Sequence, residues 1–191
     1  MELKQSKDLR PKTRVDAVRN LGLGSLVLGL LLAASLPAQS IPRSQLAGVS
    51  QNLAGTQIDI VYRRPSARGR ELFGALVPFD RVWSPSADSA ARFTTSQALE
   101  VNGSALAAGT YSLWAIPGAN EWSLIFSSEA NVFHTRYPDG KDVLRVKSVP
   151  QTGEHLETLT FYFSAADGDS ATLKLQWGKT SVPIRLKARR P

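Results

Sequence analysis

Beyond residue 46 the chain alternates between apolar and polar positions. In TQIDIVYRR, residues 56–64, Ile58, Ile60 and Tyr62 share one face while Gln57, Asp59 and Arg63 take the other. In ETLTFYFS, residues 157–164, Leu159, Phe161 and Phe163 alternate with Thr158, Thr160 and Tyr162. SATLKLQW, residues 170–177, sets Ala171, Leu173, Leu175 and Trp177 against Thr172, Lys174 and Gln176. A period of two is the mark of a strand with one buried face, because successive side chains leave a strand on opposite sides. The last such run turns Val182, Ile184 and Leu186 inward and Arg185 and Lys187 outward. Pro183 has no amide to donate, which predicts an edge strand or a ring nitrogen turned to solvent.

Turn chemistry separates these runs. Asn102-Gly103, Pro117-Gly118, Asp139-Gly140 and Asp167-Gly168 tolerate the backbone signs that tight turns require. Residues 109–127 read as two strands joined at 117–120. After residue 40 no stretch of ten or more residues keeps a 3.6-residue period. The pattern predicts an all-β domain of about eight to ten strands, as an antiparallel β-sandwich or jelly-roll-like fold. One stretch breaks the rhythm. Residues 64–90 carry Pro65, Pro78, Pro85, Gly69 and Gly74, and a helical turn is expected near Glu71–Leu76. A connection this long is uncommon in a compact domain and is often functional.

The N-terminus follows a different logic. Lys4, Lys7, Arg10, Lys12, Arg14 and Arg19 precede LGLGSLVLGLLLAASL, residues 21–36, and no charge follows until Arg43. A basic flank, an apolar run and the small residues near Ala38-Gln39-Ser40 describe a secretory signal peptide. The competing reading is an uncleaved anchor over residues 21–38. Sixteen apolar positions of helix reach only about 24 Å, against a hydrocarbon core of ~30 Å. The expected organisation is a leader of residues 1–40 and one β-sandwich domain over residues 41–191. The product is expected to be exported, periplasmic or extracellular, and to touch a membrane only through the leader.

Charge and composition narrow the partners. The chain has 191 residues, with 23 Lys and Arg against 16 Asp and Glu. The leader holds six of those basic groups and three of the acidic ones, leaving 17 against 13 and a net charge of +4. That modest excess argues against a nucleic-acid-binding surface. There is no cysteine, so disulfides and thiolate chemistry are excluded, and a domain of this size must rely on its core.

The motifs of the irregular stretch carry a family resemblance. Tyr62-x-Arg64-Pro65, Gly69-Arg70-x-Leu72-Phe73-Gly74-x-Leu76-Val77-Pro78-Phe79 and Val82-Trp83 come in order. They are followed by Ala108-Gly109-Thr110-Tyr111-Ser112-Leu113, Ile116-Pro117, Glu121-Trp122, Lys141-Asp142-x-Leu144-Arg145-Val146 and the strand from Ala171 to Trp177. Over residues ~47–187 the sequence resembles a bacterial family known as domain of unknown function 2911 (DUF2911). The resemblance implies export and a mostly β domain, and it implies no activity. The family pattern after its Trp has an Arg and then Gly-Ala-Asn-x-Ala-Thr. Here Ser84 stands for the Arg, Ser86 for the Gly, Asp88 for the Asn and Ala91 for the Thr.

Candidate chemistry concentrates in the same stretch. Arg63, Arg64, Arg68 and Arg70 lie within eight residues, and guanidinium groups grip carboxylate, phosphate or sulfate in bidentate fashion. The bland alternative pairs them with acids such as Asp80 and Asp88 to hold the loop down. Trp83 is the best placed of four tryptophans to stack on a sugar, since Trp122 and Trp177 fall on core-facing strand positions. His134 and His155, with Asp139, Asp142 or Glu154, lack the short spacing of a metal site, and Asp167-Gly168-Asp169-Ser170 reads as a hairpin turn. No Gly-x-Ser-x-Gly nucleophile elbow occurs.

The sequence thus reads as a binding or structural module rather than an enzyme, with no cofactor, no metal and no nucleic acid. The expected ligand is a small anion or glycan, held by Arg63, Arg64, Arg68, Arg70, Trp83 and Asp88. Two alternatives stand beside it. One is a carboxylate-dependent hydrolase built on a pair such as Asp80 and Asp88. The other is a subunit of a cell-envelope assembly that docks through the strand edge near Pro183, its protein partner undefined.

Overall fold

The computed structural model describes residues 43–189. The leader expected over residues 1–40 lies outside them. Ten strands follow one another: β1 (Gln45–Leu53), β2 (Thr56–Arg64), β3 (Ala91–Thr95), β4 (Leu99–Val101), β5 (Ser104–Leu106), β6 (Gly109–Ile116), β7 (Trp122–Ser127), β8 (Asp142–Ser148), β9 (Gln151–Asp167) and β10 (Ser170–Ala188). They form a six-stranded sheet in the order β1-β2-β3-β6-β7-β8 and a four-stranded sheet in the order β5-β4-β10-β9. Every pairing is antiparallel. No helix occurs among the described residues.

The alternation does what it predicts. Ile58, Ile60 and Tyr62 from the larger sheet and Leu159, Phe161, Leu173, Leu175 and Trp177 from the smaller are buried in one continuous core. Phe163 packs against that core while only partly buried. The larger sheet is covered on its other face too. Trp114 and Ile125 are buried there with Ala90, under Val132 and Tyr137 of the β7–β8 connection. Trp114 thus belongs to this second cluster and not to the core between the sheets.

β10 is longer than any sandwich needs, and geometry explains how it fits. Nineteen extended residues would reach about 60 Å, yet the Ala188 amide donates to the Asp169 carbonyl at 2.7 Å, next to the start of the strand. The strand must double back near its middle, where Gly178 has φ +58°. Of the two placements expected for Pro183, the edge strand is therefore not the one found. β10 lies between β4 and β9, and Pro183 occupies the gap between the ladder to β9, which stops at Ser181, and the ladder to β4, which starts at Leu186. A residue without an amide is tolerated where no ladder bond is asked of it.

The expected helical turn at Glu71–Leu76 is also corrected. The Leu76 and Val77 amides donate to the Glu71 and Leu72 carbonyls, five residues back rather than the four of an α-helix. Gly74 at φ +92° breaks the right-handed path. Phe73 and Val77 instead meet in an isolated bridge.

Candidate functional site

The period of two separates Arg63 from Arg64 at once. Neighbouring side chains on β2 leave opposite faces, so the four arginines do not converge on one ligand. Past Arg64 the chain crosses to the other sheet and pairs with β9. The Leu159 amide donates to the Pro65 carbonyl at 2.9 Å and the Ala67 amide to the Glu157 carbonyl at 2.8 Å.

Three of the arginines secure this crossing. The Arg64 guanidinium donates to the Leu159 carbonyl at 3.1 Å and to the hydroxyls of Thr158 and Thr160, each at 2.7 Å. The Arg70 guanidinium donates to the carbonyls of Ala67 at 2.8 Å and Ser66 at 2.7 Å. Arg68, at φ +53°, acts through its backbone: its amide donates to a Glu157 carboxylate oxygen at 2.7 Å. That bond is the main cause that holds the Glu157 carboxyl below its ordinary value, with His155 beside it at 3.5 Å. Beneath Arg64, the Tyr62 hydroxyl accepts the Phe161 amide at 2.9 Å, and burial pushes its pKa up.

Trp83 is half-buried inside an aromatic cluster. Its ring stacks on Trp177, with centroids 6.1 Å apart and planes 8° from parallel, and meets Trp122 and Phe73 edge-on. Its amide and carbonyl exchange hydrogen bonds of 2.8 Å with Ala115, extending the sheet just before β3 begins. The neighbouring Ser84 is fully buried, and its hydroxyl has no hydrogen-bond partner among the described residues.

Arg63 and Asp88 belong to a different place. Arg63 lies opposite Leu46 in the β1–β2 register, on the outer face of the larger sheet. Its side chain reaches the Ser44 carbonyl at 3.2 Å and the Asp88 carboxylate at 3.5 Å. Asp88 sits at φ +62°, and its carbonyl accepts the His134 amide at 3.2 Å. Two residues on, the Ala90 amide donates to the Val132 carbonyl at 3.0 Å. The segment before β3 and the β7–β8 connection thus join into a rim above the sheet.

Under that rim runs a groove of about 470 Å³ lined by Leu46, Val61, Asp88, Arg92, Asn131 and Phe133, among others. Arg92 stands across from Val61, and Val61 across from Gly48, so the row ends on a residue with no side chain. Its guanidinium has no acid or carbonyl partner among the described residues. Phe133 and Leu46 are 51% and 64% exposed, which leaves apolar surface beside a free cation. The sequence reading missed Arg92, Asn131 and Phe133. The available signal was Ala91-Arg92-Phe93, in which one charged side chain must face away from two buried ones.

The histidines do not meet. His155 pairs with Glu157, while the buried Nδ1 of the half-buried His134 has no hydrogen-bond partner among the described residues. Among the described residues no three His, Asp or Glu side chains converge as metal ligands. The Asp80 amide donates to the Pro117 carbonyl, and Asp88 is engaged by Arg63.

No curated protein and no solved structure matches this chain. A family model does, over residues 44–186, which spans the sandwich from the head of β1 to the first residue of β10's ladder with β4. By that match the chain belongs to the DUF2911 family, proteins of unknown function.

Proposed function

We propose that this protein is an exported binding module that takes a small anionic, carbohydrate-type ligand in the groove between the Asp88 rim and the outer face of β1–β3. The observation that carries the reading is Arg92, whose guanidinium has no partner among the described residues and which lines one groove with the exposed apolar side chains of Leu46 and Phe133. Such an arrangement suits a ring with one apolar face and one acidic substituent, because the cation binds the anion while the aromatic covers the ring. Asn131 and Ser89 add polar groups along the same rim. Of the six residues expected to bind, Arg63 and Asp88 serve this groove, with Arg63 fixing the Asp88 carboxylate at its head. Export rests on the basic flank and apolar run of residues 1–40.

The test compares D-glucuronate with D-glucose, which differ in one carboxylate. Calorimetry on the full chain is expected to detect glucuronate and to find glucose at least tenfold weaker. Arg92→Ala is expected to remove that preference, with thermal melting unchanged because the side chain holds nothing. Equal binding of both sugars, or no effect of Arg92→Ala, would overturn the reading. Export is tested separately by the mass of the protein recovered from its own envelope fraction, which is expected to lack about forty residues.

A further inference from the structure

The smaller sheet carries a second cleft, of about 480 Å³, lined by Thr152, Gly153, Thr160, Tyr162, Gln176 and Ser181, among others. Irregularity in the ladder between β9 and β10 opens it. From Gln176↔Thr160 to Gly178↔Leu156 and on to Thr180↔Thr152, β10 advances two positions at each step while β9 advances four. Extra residues on one strand leave the ladder and bend it, and such bulges are frequent beside active sites. The first is filled, because Pro65 and Ala67 pair with Leu159 and Glu157. The second supplies Gly153 and Glu154 to the cleft.

Two of the lining side chains are buried polar groups. Leu175 and Trp177 face the core, so Gln176 between them faces away from it, and it is 5% exposed. Val182 and Ile184 also face the core, which turns Ser181 to that same outer side, where it is 3% exposed. Gln176 is well held. Its Nε2 donates to the Glu154 carbonyl at 2.6 Å, and its Oε1 accepts the Tyr162 hydroxyl at 2.7 Å. Gly153 makes room for it, since a Cβ there would lie 3.2 Å from that Nε2. The Ser181 hydroxyl, by contrast, has no hydrogen-bond partner among the described residues. Bulges protect an edge strand such as β9, but edge protection asks for no buried hydroxyl, and an unmet one is destabilising. A polar ligand in the cleft would satisfy it.

We infer that this cleft binds a neutral glycan unit of disaccharide size, whose hydroxyls are shared among Ser181, Gln176 and Tyr162. The two charged residues of the lining, Lys174 and Glu154, have opposite signs, so the cleft has no net charge with which to select an ion. The second Nε2 hydrogen of Gln176 can donate, the Tyr162 oxygen can accept, and the Ser181 hydroxyl can do both. Sugar hydroxyls donate and accept in the same way. The half-buried Tyr162 ring and Leu156 offer apolar surface to the C–H face of a sugar. Arg92 in the other groove selects a carboxylate, so the two sites differ in ligand and neither needs the other.

Cellobiose, maltose, lactose and trehalose serve as neutral probes in amide chemical-shift titrations of the full chain. At least one of them is expected to move Gly153, Glu154, Gln176 and Ser181 saturably, while Arg92, Asn131 and Phe133 stay in place. Ser181→Ala removes a hydroxyl that holds nothing in the fold, so the melting temperature is expected to match the parent while affinity for that disaccharide falls at least threefold. Tyr162→Phe, with its β spectrum checked by circular dichroism, is expected to weaken binding by a similar factor. No saturable shift at Gly153, Gln176 and Ser181 with any of the four sugars would overturn the inference. So would shifts confined to the Arg92 groove, or parental affinity in both variants.

Discussion

Replacing Arg64 separates a structural clamp from an anion site most sharply. Arg64→Met keeps the length of the aliphatic stem and removes the guanidinium, and with it hydrogen bonds to Leu159, Thr158 and Thr160. A hydrogen bond from a charged donor contributes roughly 1.5–3 kcal/mol when its partner is left unmet. The two threonine hydroxyls can rotate toward water, since the site is only half-buried, so the sum is discounted to about 2–4 kcal/mol. For a domain of this size each kcal/mol lowers the melting temperature by roughly 2–4 °C. A fall of about 5–15 °C is therefore expected in thermal melts followed by circular dichroism. Arg64→Lys, with one point charge in place of a planar fork, should fall between the two. A melting temperature for Arg64→Met within about 2 °C of the parent would refute the clamp. The crossing from β2 to β9 would then be held by the backbone bonds of Pro65 and Ala67 alone.

Three further outcomes follow from the same geometry. Gly178→Ala should destabilise by roughly 1–3 kcal/mol, because Gly178 has φ +58° and an added Cβ would lie 2.9 Å from Leu72 Cδ1. Adding Leu72→Ala should recover only the steric part, as measured by a double-mutant cycle in urea. Asn102 holds three strands together, donating to the Lys147 carbonyl at 2.8 Å and accepting the Arg185 amide at 2.7 Å. Asn102→Gly should cost about 1–2 kcal/mol, and Asn102→Ala more, because the site is at φ +48°. The Tyr137 hydroxyl donates to Asp142 at 2.6 Å, and burial followed by that carboxylate pushes its pKa up to about 12. Between pH 10 and 12 the unfolded chain releases this proton while the folded one keeps it, so stability falls as pH rises through that window. Tyr137→Phe should flatten that fall in melts taken across the window, and an unchanged slope would count against the Tyr137–Asp142 bond.

The strands were legible because each has one face against oil and one toward water, a signal written locally. Ile58, Ile60 and Tyr62 needed no partner sheet to be recognised. The role of the arginines was not legible, for the opposite reason. A sequence shows Arg63 and Arg64 as neighbours, while a strand sends them to opposite sides. What each then meets, Asp88 for one and Thr158 with Thr160 for the other, depends on segments 25 and 94 residues distant. Pro183 misled for a related reason. Its missing donor is real, but the doubling back of β10 supplies an interior place where no donor is asked for. Arg92 escaped notice because a single charge on a five-residue strand is ordinary until Gly48 and the Asp88 rim leave it alone in a groove.

The six expected binding residues fall into builders of the fold and members of a ligand groove, and amide chemical-shift mapping tests that division directly. With assigned spectra of the full chain, D-glucuronate is expected to move Arg63, Asp88, Arg92, Asn131 and Phe133. The amides of Arg64, Arg70, Trp83 and Thr158 through Thr160 are expected to stay where they are. Shifts centred on Arg64, Arg70 and Trp83, with the Arg92 groove silent, would contradict it.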